Sequence, residues 1–344
     1  MKADRWHVLS LLAGLTAVSG ILTLSPVSAG ESGAAPAATP ELGVYDPAGR
    51  FSGASGVAVE HVFMPWRDVD LASLAAAEAY ATRRGRKLLV TTEPWSWAGT
   101  GAKDAQALGT DMVAGRYDRE IGRMCDALGA LKTPVSVRWG HEMEKRPEQA
   151  LAQSFSPAED DEYRRCREEP GSTIRRGECS DPASSGNFTW SGWPPKRYVL
   201  AYQHFVALCR KHAPKASFIW SPRGDEDLAK YYPGDEFVDE IGLSLFGLQA
   251  YDRAKFGRDR GFRDALREKY DRVRQYRKPV VVAELGFTGD SAYRATWAKE
   301  IKDARSEFPE LKSVIYFNDV ETYPWPEAFG KPDWRLEPTD LGLK

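Results

Sequence analysis

The sequence predicts an α/β fold, a (β/α)8 TIM barrel in a single domain. Two observations carry that prediction. Eight short apolar runs alternate with amphipathic helical stretches along 344 residues, and a single barrel with insertions takes about 250 residues or more. The runs are also uniformly rich in Val, Ile, Leu and Phe rather than alternating with polar residues, as expected for parallel strands buried on both faces. An open doubly wound sheet would alternate too, but no Gly-x-Gly-x-x-Gly turn follows the first strand.

The strands are placed at Leu42–Tyr45, Ala58–Pro65, Lys87–Thr92, Pro134–Trp139, Ser217–Trp220, Glu240–Leu245, Pro279–Ala283 and Ser313–Phe317. Helical periodicity is clearest over Leu71–Arg84, Tyr117–Leu131, Tyr198–His212, Phe262–Tyr276 and Tyr293–Phe308. One segment breaks the rhythm. From about Glu144 to Ser191 the chain is polar and dense in charge, Pro, Gly and Ser. An insertion after the fourth strand belongs on the C-terminal face of a barrel, where loops carry function.

The N-terminus reads as an export signal. Lys2 and Arg5 precede an apolar run from Val8 to Leu24, and Val27-Ser28-Ala29 is a small-x-small cleavage pattern. Residues 1–29 are therefore expected to be a signal peptide cut after Ala29, and 30–40 a flexible leader before the domain at 41–344. No other apolar run is long enough to span a membrane. A secreted or periplasmic protein is expected, with its four cysteines in an oxidising compartment. Four cysteines allow three pairings. Cys166 with Cys179 is the favoured one, across a structure-poor segment. Cys125 and Cys209 fall on helices and are either a second bridge or two buried thiols.

The formal net charge of −2 argues for no nucleic-acid partner. No Cys-x-x-Cys or His-x-x-x-His spacing suggests zinc, and no metal or cofactor is expected. There is no Gly-x-Ser-x-Gly elbow for ester hydrolysis.

Two strand ends carry ionisable groups where apolar sequence would be cheaper. Pro134-Val-Ser-Val-Arg-Trp-Gly-His-Glu-Met143 runs from strand four into Arg138, His141 and Glu142. In Pro279-Val-Val-Val-Ala-Glu-Leu-Gly-Phe287, Glu284 ends strand seven and Gly286 lets the chain turn away. Such groups are costly unless paired. A carboxyl pair at strand ends is also what glycoside hydrolysis requires: one gives a proton to the leaving oxygen, the other attacks or activates water.

The run Arg138-Trp-Gly-His-Glu-Met143 resembles the acid/base motif of glycoside hydrolase family 26, the β-mannanase family of the barrel clan with acids on strands four and seven. Lys278-Pro-Val-Val-Val-Ala-Glu284-Leu-Gly is similar to the nucleophile strand of that family, and Tyr232-Pro-Gly-Asp-Glu-Phe-Val-Asp-Glu-Ile-Gly242 to the approach to its sixth strand. The resemblance spans roughly residues 42 to 335. It implies Glu142 as acid/base, Glu284 as nucleophile, retention of configuration, and carboxyls about 5–5.5 Å apart. Arg138 is then the donor that keeps Glu284 ionised, and His141 bonds sugar hydroxyls or holds the acid.

The chain departs from the family at two points. Glu144-Lys145 and the insertion follow His-Glu-Met, and Phe246 stands where the family carries a tyrosine that bonds the nucleophile.

Seven of the 11 tryptophans fall at or beyond strand C-termini: Trp66, Trp95, Trp97, Trp190, Trp193, Trp220 and Trp325. That clustering predicts a cleft whose flat rings stack on sugar faces, with Trp66, Trp95, Trp190, Trp193, Phe246 and Trp325 among the substrate-binding residues. Glu93, Asn318 and Asp319 lie on the same face and are expected to bond hydroxyls. Trp297 is expected in the core. The expected partner is a polysaccharide, and the protein a monomer: an endo-acting β-glycanase on β-mannan, β-glucan or a bacterial exopolysaccharide. The rival is a polysaccharide-binding accessory that keeps the barrel without turnover.

Overall fold

The computed structural model describes residues 39–65, 70–94, 102–144, 188, 190–191, 193–322, 324–325 and 327–344. The expected signal peptide, the leader up to residue 38, Trp66, Trp95, Trp97, the Cys166–Cys179 pair and most of the insertion lie outside these residues.

Eight parallel strands close in sequence order: β1 (Glu41–Tyr45), β2 (Val57–Pro65), β3 (Lys87–Glu93), β4 (Val135–Trp139), β5 (Ser217–Trp220), β6 (Glu240–Leu248), β7 (Val280–Thr288) and β8 (Leu311–Phe317), with β8 pairing back to β1. The helices are α1 (Ala72–Thr82), α2 (Ala102–Val113), α3 (Asp118–Gly129), α4 (Pro195–His212), α5 (Gln249–Phe256), α6 (Phe262–Val273) and α7 (Ser291–Lys302). This is the (β/α)8 barrel that the sequence predicts. Among the described residues, turns replace the helix in the β1–β2 link, and two short 3-10 helices, Glu226–Tyr231 and Asp235–Phe237, stand in the β5–β6 link.

The helices form where one face is apolar. In α3 the buried residues Ile121, Met124, Cys125 and Leu128 recur at helical spacing, and Asp118 and Glu120 lie in the first turn, where the helix dipole favours negative charge. In α4, Tyr198, Ala201, Tyr202, Phe205 and Cys209 make the matching face. Cys125 and Cys209 are joined by a disulfide across 84 residues, which settles the open alternative in favour of a bridge.

Inside the barrel, Val59, Leu89, Ile219, Val281, Ala283 and Ile315 form a closed floor. Gly43 belongs to it because a Cβ there would sit 2.4 Å from Ile315 Cδ1. Two and four residues further along the strands the same inward parity turns polar or aromatic: Tyr45, His61, Phe63, Thr91, Glu93, Ser221, Ser244, Phe246 and Phe317. The C-terminal mouth of the barrel is built from these.

Two strands run past their predicted ends. β7 continues to Thr288 and β6 to Leu248, so Glu284 lies within a strand rather than at its end. Gly286 makes no turn. It is flat because a Cβ would meet Phe246 Cδ1 at 2.8 Å and Trp334 Cγ at 2.9 Å.

Candidate active site

Strict alternation along Val281, Val282, Ala283 would send Glu284 outward, toward the helices. A bulge prevents this. Leu243 pairs with Val282 and the next residue, Ser244, with Glu284, so Ala283 is an extra residue in β7. The pairing with β8 skips at the same place, between Val282 and Leu285. The extra residue reverses the parity. Ala283 stays in the floor, Glu284 turns into the mouth, and Leu285 and Phe287 pack outward in the main core.

Arg138, inward from β4 and fully buried, meets Glu284 there. Its Nη1 donates to Glu284 Oε1 at 2.5 Å, its Nε to Ser221 Oγ at 2.8 Å, and its Nη2 to Ser244 Oγ at 3.5 Å. Burial pushes the Glu284 carboxyl up to about 7; Arg138 opposes that push, while Glu142 and then Glu321 add to it. Glu142 therefore lies close enough for its charge to act on Glu284.

Glu142 follows β4 through Gly140 and His141. It has φ 51, in the left-handed region. Its backbone N–H donates to the Ser221 carbonyl at 2.8 Å. Ser221 thus holds both halves of the site, its carbonyl on Glu142 and its hydroxyl on Arg138.

His141 and His61 are both buried. Burial first, and Arg138 second, holds each well below the usual histidine range, so both are neutral near pH 7. His141 Nε2 lies 3.9 Å from Glu284 Oε1. His61 Nε2 pairs with Thr91 Oγ1 at 2.7 Å. Among the described residues no group of three or more His, Cys, Asp or Glu is placed to hold a metal ion.

The tryptophan platform needs correction. Trp190 and Trp193 are fully buried, not open to a sugar. The Trp190 indole donates to the His141 carbonyl at 2.5 Å and its face is stacked on Phe188 at 4.8 Å. Trp193 fills the space over Gly109 beside Trp139. Trp220 points outward from β5, against Tyr232 and Tyr276. Trp297 lies in the core, against Phe287. Asn318 is also spent internally, donating to Asp46 at 2.9 Å and accepting from Leu336 N at 2.7 Å.

The rings that border the mouth are half-buried and come from strand ends: Tyr45, Phe63, Phe246 and Phe317. Tyr45 stacks on Phe317 at 5.0 Å and meets Phe63 edge-on at 4.9 Å; Phe246 lies 6.3 Å from Phe317. Burial raises the Tyr45 hydroxyl to about 12, and Asp319, Glu93 and Glu284 add to it. Strand parity would have found these residues, had the strands been known to run inward at those positions.

A hairpin after β8 closes this side. Val320 bridges Asp333 and Trp325 bridges Gly330. Glu321 Oε2 accepts from Trp334 Nε1 at 3.2 Å and from Trp325 Nε1 at 3.4 Å. Trp325 is half-buried, 5.5 Å from Trp334, which packs 5.2 Å from Phe246. Sequence reading missed Tyr45, His61, Phe63, Ser221, Ser244, Phe317, Glu321 and Trp334.

No protein-family model matches the chain, and no curated protein matches it. Solved structures do resemble it. GH26C from Muricauda sp. MAR_2010_75 superposes with a TM-score of 0.56 at 13% identity, over 82% of this chain and 79% of that one. A GH26 β-mannanase from Bacteroides ovatus gives 0.54 at 14% identity, over 81% of each chain. The likeness is one of fold. A β-glycosidase, BGL167, gives 0.51 at 13% identity, over 84% of this chain and 79% of that one. The barrel is thus of the kind found in solved glycoside hydrolases, and at such identities these neighbours leave the chemistry to this chain's own residues.

Proposed function

We propose that this chain is a retaining β-glycoside hydrolase with Glu142 as acid/base and Glu284 as nucleophile. The observation that carries the reading is the β7 bulge, which aims Glu284 into the mouth and onto Arg138. A strand-end salt bridge would need no such reversal.

In the first step Glu284 attacks the anomeric carbon while Glu142 gives its proton to the glycosidic oxygen. The C–O bond breaks, the leaving sugar departs as an alcohol, and a glycosyl ester forms on Glu284. Water then attacks the same carbon, Glu142 takes its proton, and Glu284 leaves as carboxylate. The carboxyls of a retaining pair stand about 5–5.5 Å apart. Arg138 steadies the charge that Glu284 regains. Phe246 offers a ring where a hydroxyl would bond the nucleophile, so Arg138, which already bonds Glu284, takes on that work.

The proposed substrate is a β-linked polysaccharide: β-mannan, β-glucan or a bacterial exopolysaccharide, cut internally. The half-buried rings of Tyr45, Phe63, Phe246 and Phe317 suit the apolar faces of a pyranose, and Trp325 lies on the hairpin beside them. Trp66 and Trp95 remain proposed contacts. We propose export, with cleavage after Ala29 and a monomeric mature protein. The Cys125–Cys209 disulfide supports an oxidising compartment, and no helix among the described residues is long and apolar enough to cross a membrane.

The test is release of reducing ends from mannans, β-glucans and bacterial exopolysaccharides, beside Glu284→Ala and Glu142→Gln. Wild type is expected to release sugar and both variants to lose at least about 10²-fold. Equal rates in all three would remove both carboxylates from the mechanism. Binding without release by wild type would favour a carbohydrate-binding accessory.

A further inference from the structure

Glu144 lies two residues beyond Glu142, and the proposed chemistry gives it no task. Its side chain is buried, with only 1% of the residue exposed. A carboxylate so placed is costly unless its charge is answered. The answer comes from backbone. Glu144 Oε2 accepts from Arg223 N at 2.8 Å, and Oε1 accepts from Gly224 N at 3.0 Å and Asp225 N at 3.4 Å. Three successive amides converge on one carboxyl, an anion nest whose anion belongs to the same chain. Burial pushes the carboxyl up, and the amides of Arg223 and Gly224 oppose that push without cancelling it.

The clamped segment is the loop that leaves β5. Lys269 of α6 holds it from the other side, with Nζ donating to the carbonyls of Arg223 and Ser244, each at 2.7 Å. Its first residue is Ser221, whose carbonyl receives the Glu142 N–H. Glu142 is in the left-handed region, which strains a non-glycine residue. Such a backbone persists only where its surroundings over-determine it. Here the chain is pinned to the same loop at Glu142 by its amide and at Glu144 by its carboxyl.

We infer that Glu144 is a positioning residue: by clamping the amides of Arg223, Gly224 and Asp225 it holds Glu142 in the left-handed conformation from which its carboxyl serves the leaving oxygen. This rests on the proposed role of Glu142. Both Glu144 oxygens accept from backbone donors and the side chain is buried, so the role assigned to it is through Glu142 and not by contact with substrate.

Leaving-group dependence separates positioning of the acid from general damage. A sugar alcohol needs the Glu142 proton to depart, whereas a dinitrophenolate leaves without it. Wild type, Glu144→Ala and Glu144→Gln are compared on an oligosaccharide of the polymer that wild type cuts and on the 2,4-dinitrophenyl glycoside of the same sugar. Glu144→Ala is expected to lose roughly 10²-fold in kcat/KM on the oligosaccharide and less than about 3-fold on the activated glycoside. Glu144→Gln keeps one acceptor oxygen and should recover part of the loss. Equal losses on both substrates would overturn the inference.

A second measurement needs no turnover. Amide hydrogen exchange in Glu144→Ala should accelerate at residues 223–225 and also at Glu142, with the strand amides unchanged. If Glu142 keeps its wild-type protection, the inference fails whatever the enzyme cuts. If wild type releases no sugar yet Glu142 loses protection, the clamp stands and the hydrolase reading is what failed.

Discussion

Glu284 is the residue whose surroundings make the sharpest demand. It is buried against Arg138 and close enough to Glu142 and Glu321 to feel their charge, and its carboxyl is raised to about 7. If Glu284 is the nucleophile, as proposed, it works ionised, so the acid limb of kcat/KM should fall near pH 7, well above an ordinary glutamate; a limb near pH 4.5 would contradict the burial. Stability carries the same sign. A carboxyl raised in the folded state binds its proton more tightly there than in the unfolded chain. Its contribution is whole below the unfolded value and fades as pH rises from about 4.5 to about 7. Glu284→Gln does not titrate. Its Tm relative to wild type should therefore climb between pH 5 and pH 8, and a pH-independent difference would mean that the folded and unfolded values coincide. Arg138→Met removes the opposing charge, so the acid limb should move further to alkaline pH.

At the scale of elements, β7 and the hairpin after β8 are fitted to each other. Gly286→Ala would place a methyl 2.8 Å from Phe246 Cδ1 and 2.9 Å from Trp334. Overpacking of that kind costs about 1–3 kcal/mol, measurable by denaturant unfolding, and should also weaken substrate binding because Phe246 borders the mouth. The disulfide is the other inter-element tie. It joins α3 to α4 across β4 and the insertion, closing 84 residues. A loop of that length contributes about 4–5 kcal/mol in the chain-entropy view. Cys125→Ala with Cys209→Ala should lower Tm by roughly 10 °C, and a shift within error would mean that packing of the α3 and α4 faces alone secures that wall.

Over the barrel, among the described residues, the candidate site lies at one end. The floor of Val59, Leu89, Ile219, Val281, Ala283 and Ile315 is wholly apolar, while the inward positions beyond it bear Arg138, Ser221, Ser244, Glu284 and four half-buried rings. Barrels place their sites at this C-terminal face because the strand-to-helix loops there vary without disturbing the floor. Export belongs to this scale as well: N-terminal sequencing of secreted protein should begin at Gly30, and an intact Met1 would make residues 1–29 an anchor instead.

The fold was legible in the residues themselves. Eight apolar runs, each too short for a helix and too uniform for a half-exposed strand, admit few architectures, and Glu142, Glu284, Arg138 and His141 stand out as ionisable groups in apolar sequence. What the sequence could not hold is direction. Val-Val-Val-Ala-Glu-Leu is apolar on both sides of the strand, so no pattern marks which residue faces inward, and only pairing with β6 and β8 places the bulge that turns Glu284 into the mouth. The same blindness misassigned Trp190 and Trp193. An indole at a strand end serves a cleft or a core equally well, and the packing of α2 and α4 and the carbonyl of His141 claimed Trp193 and Trp190 for the interior. Local chemistry is written in single residues; facing is a property of contacts between segments far apart in the chain, and tertiary structure alone decides it.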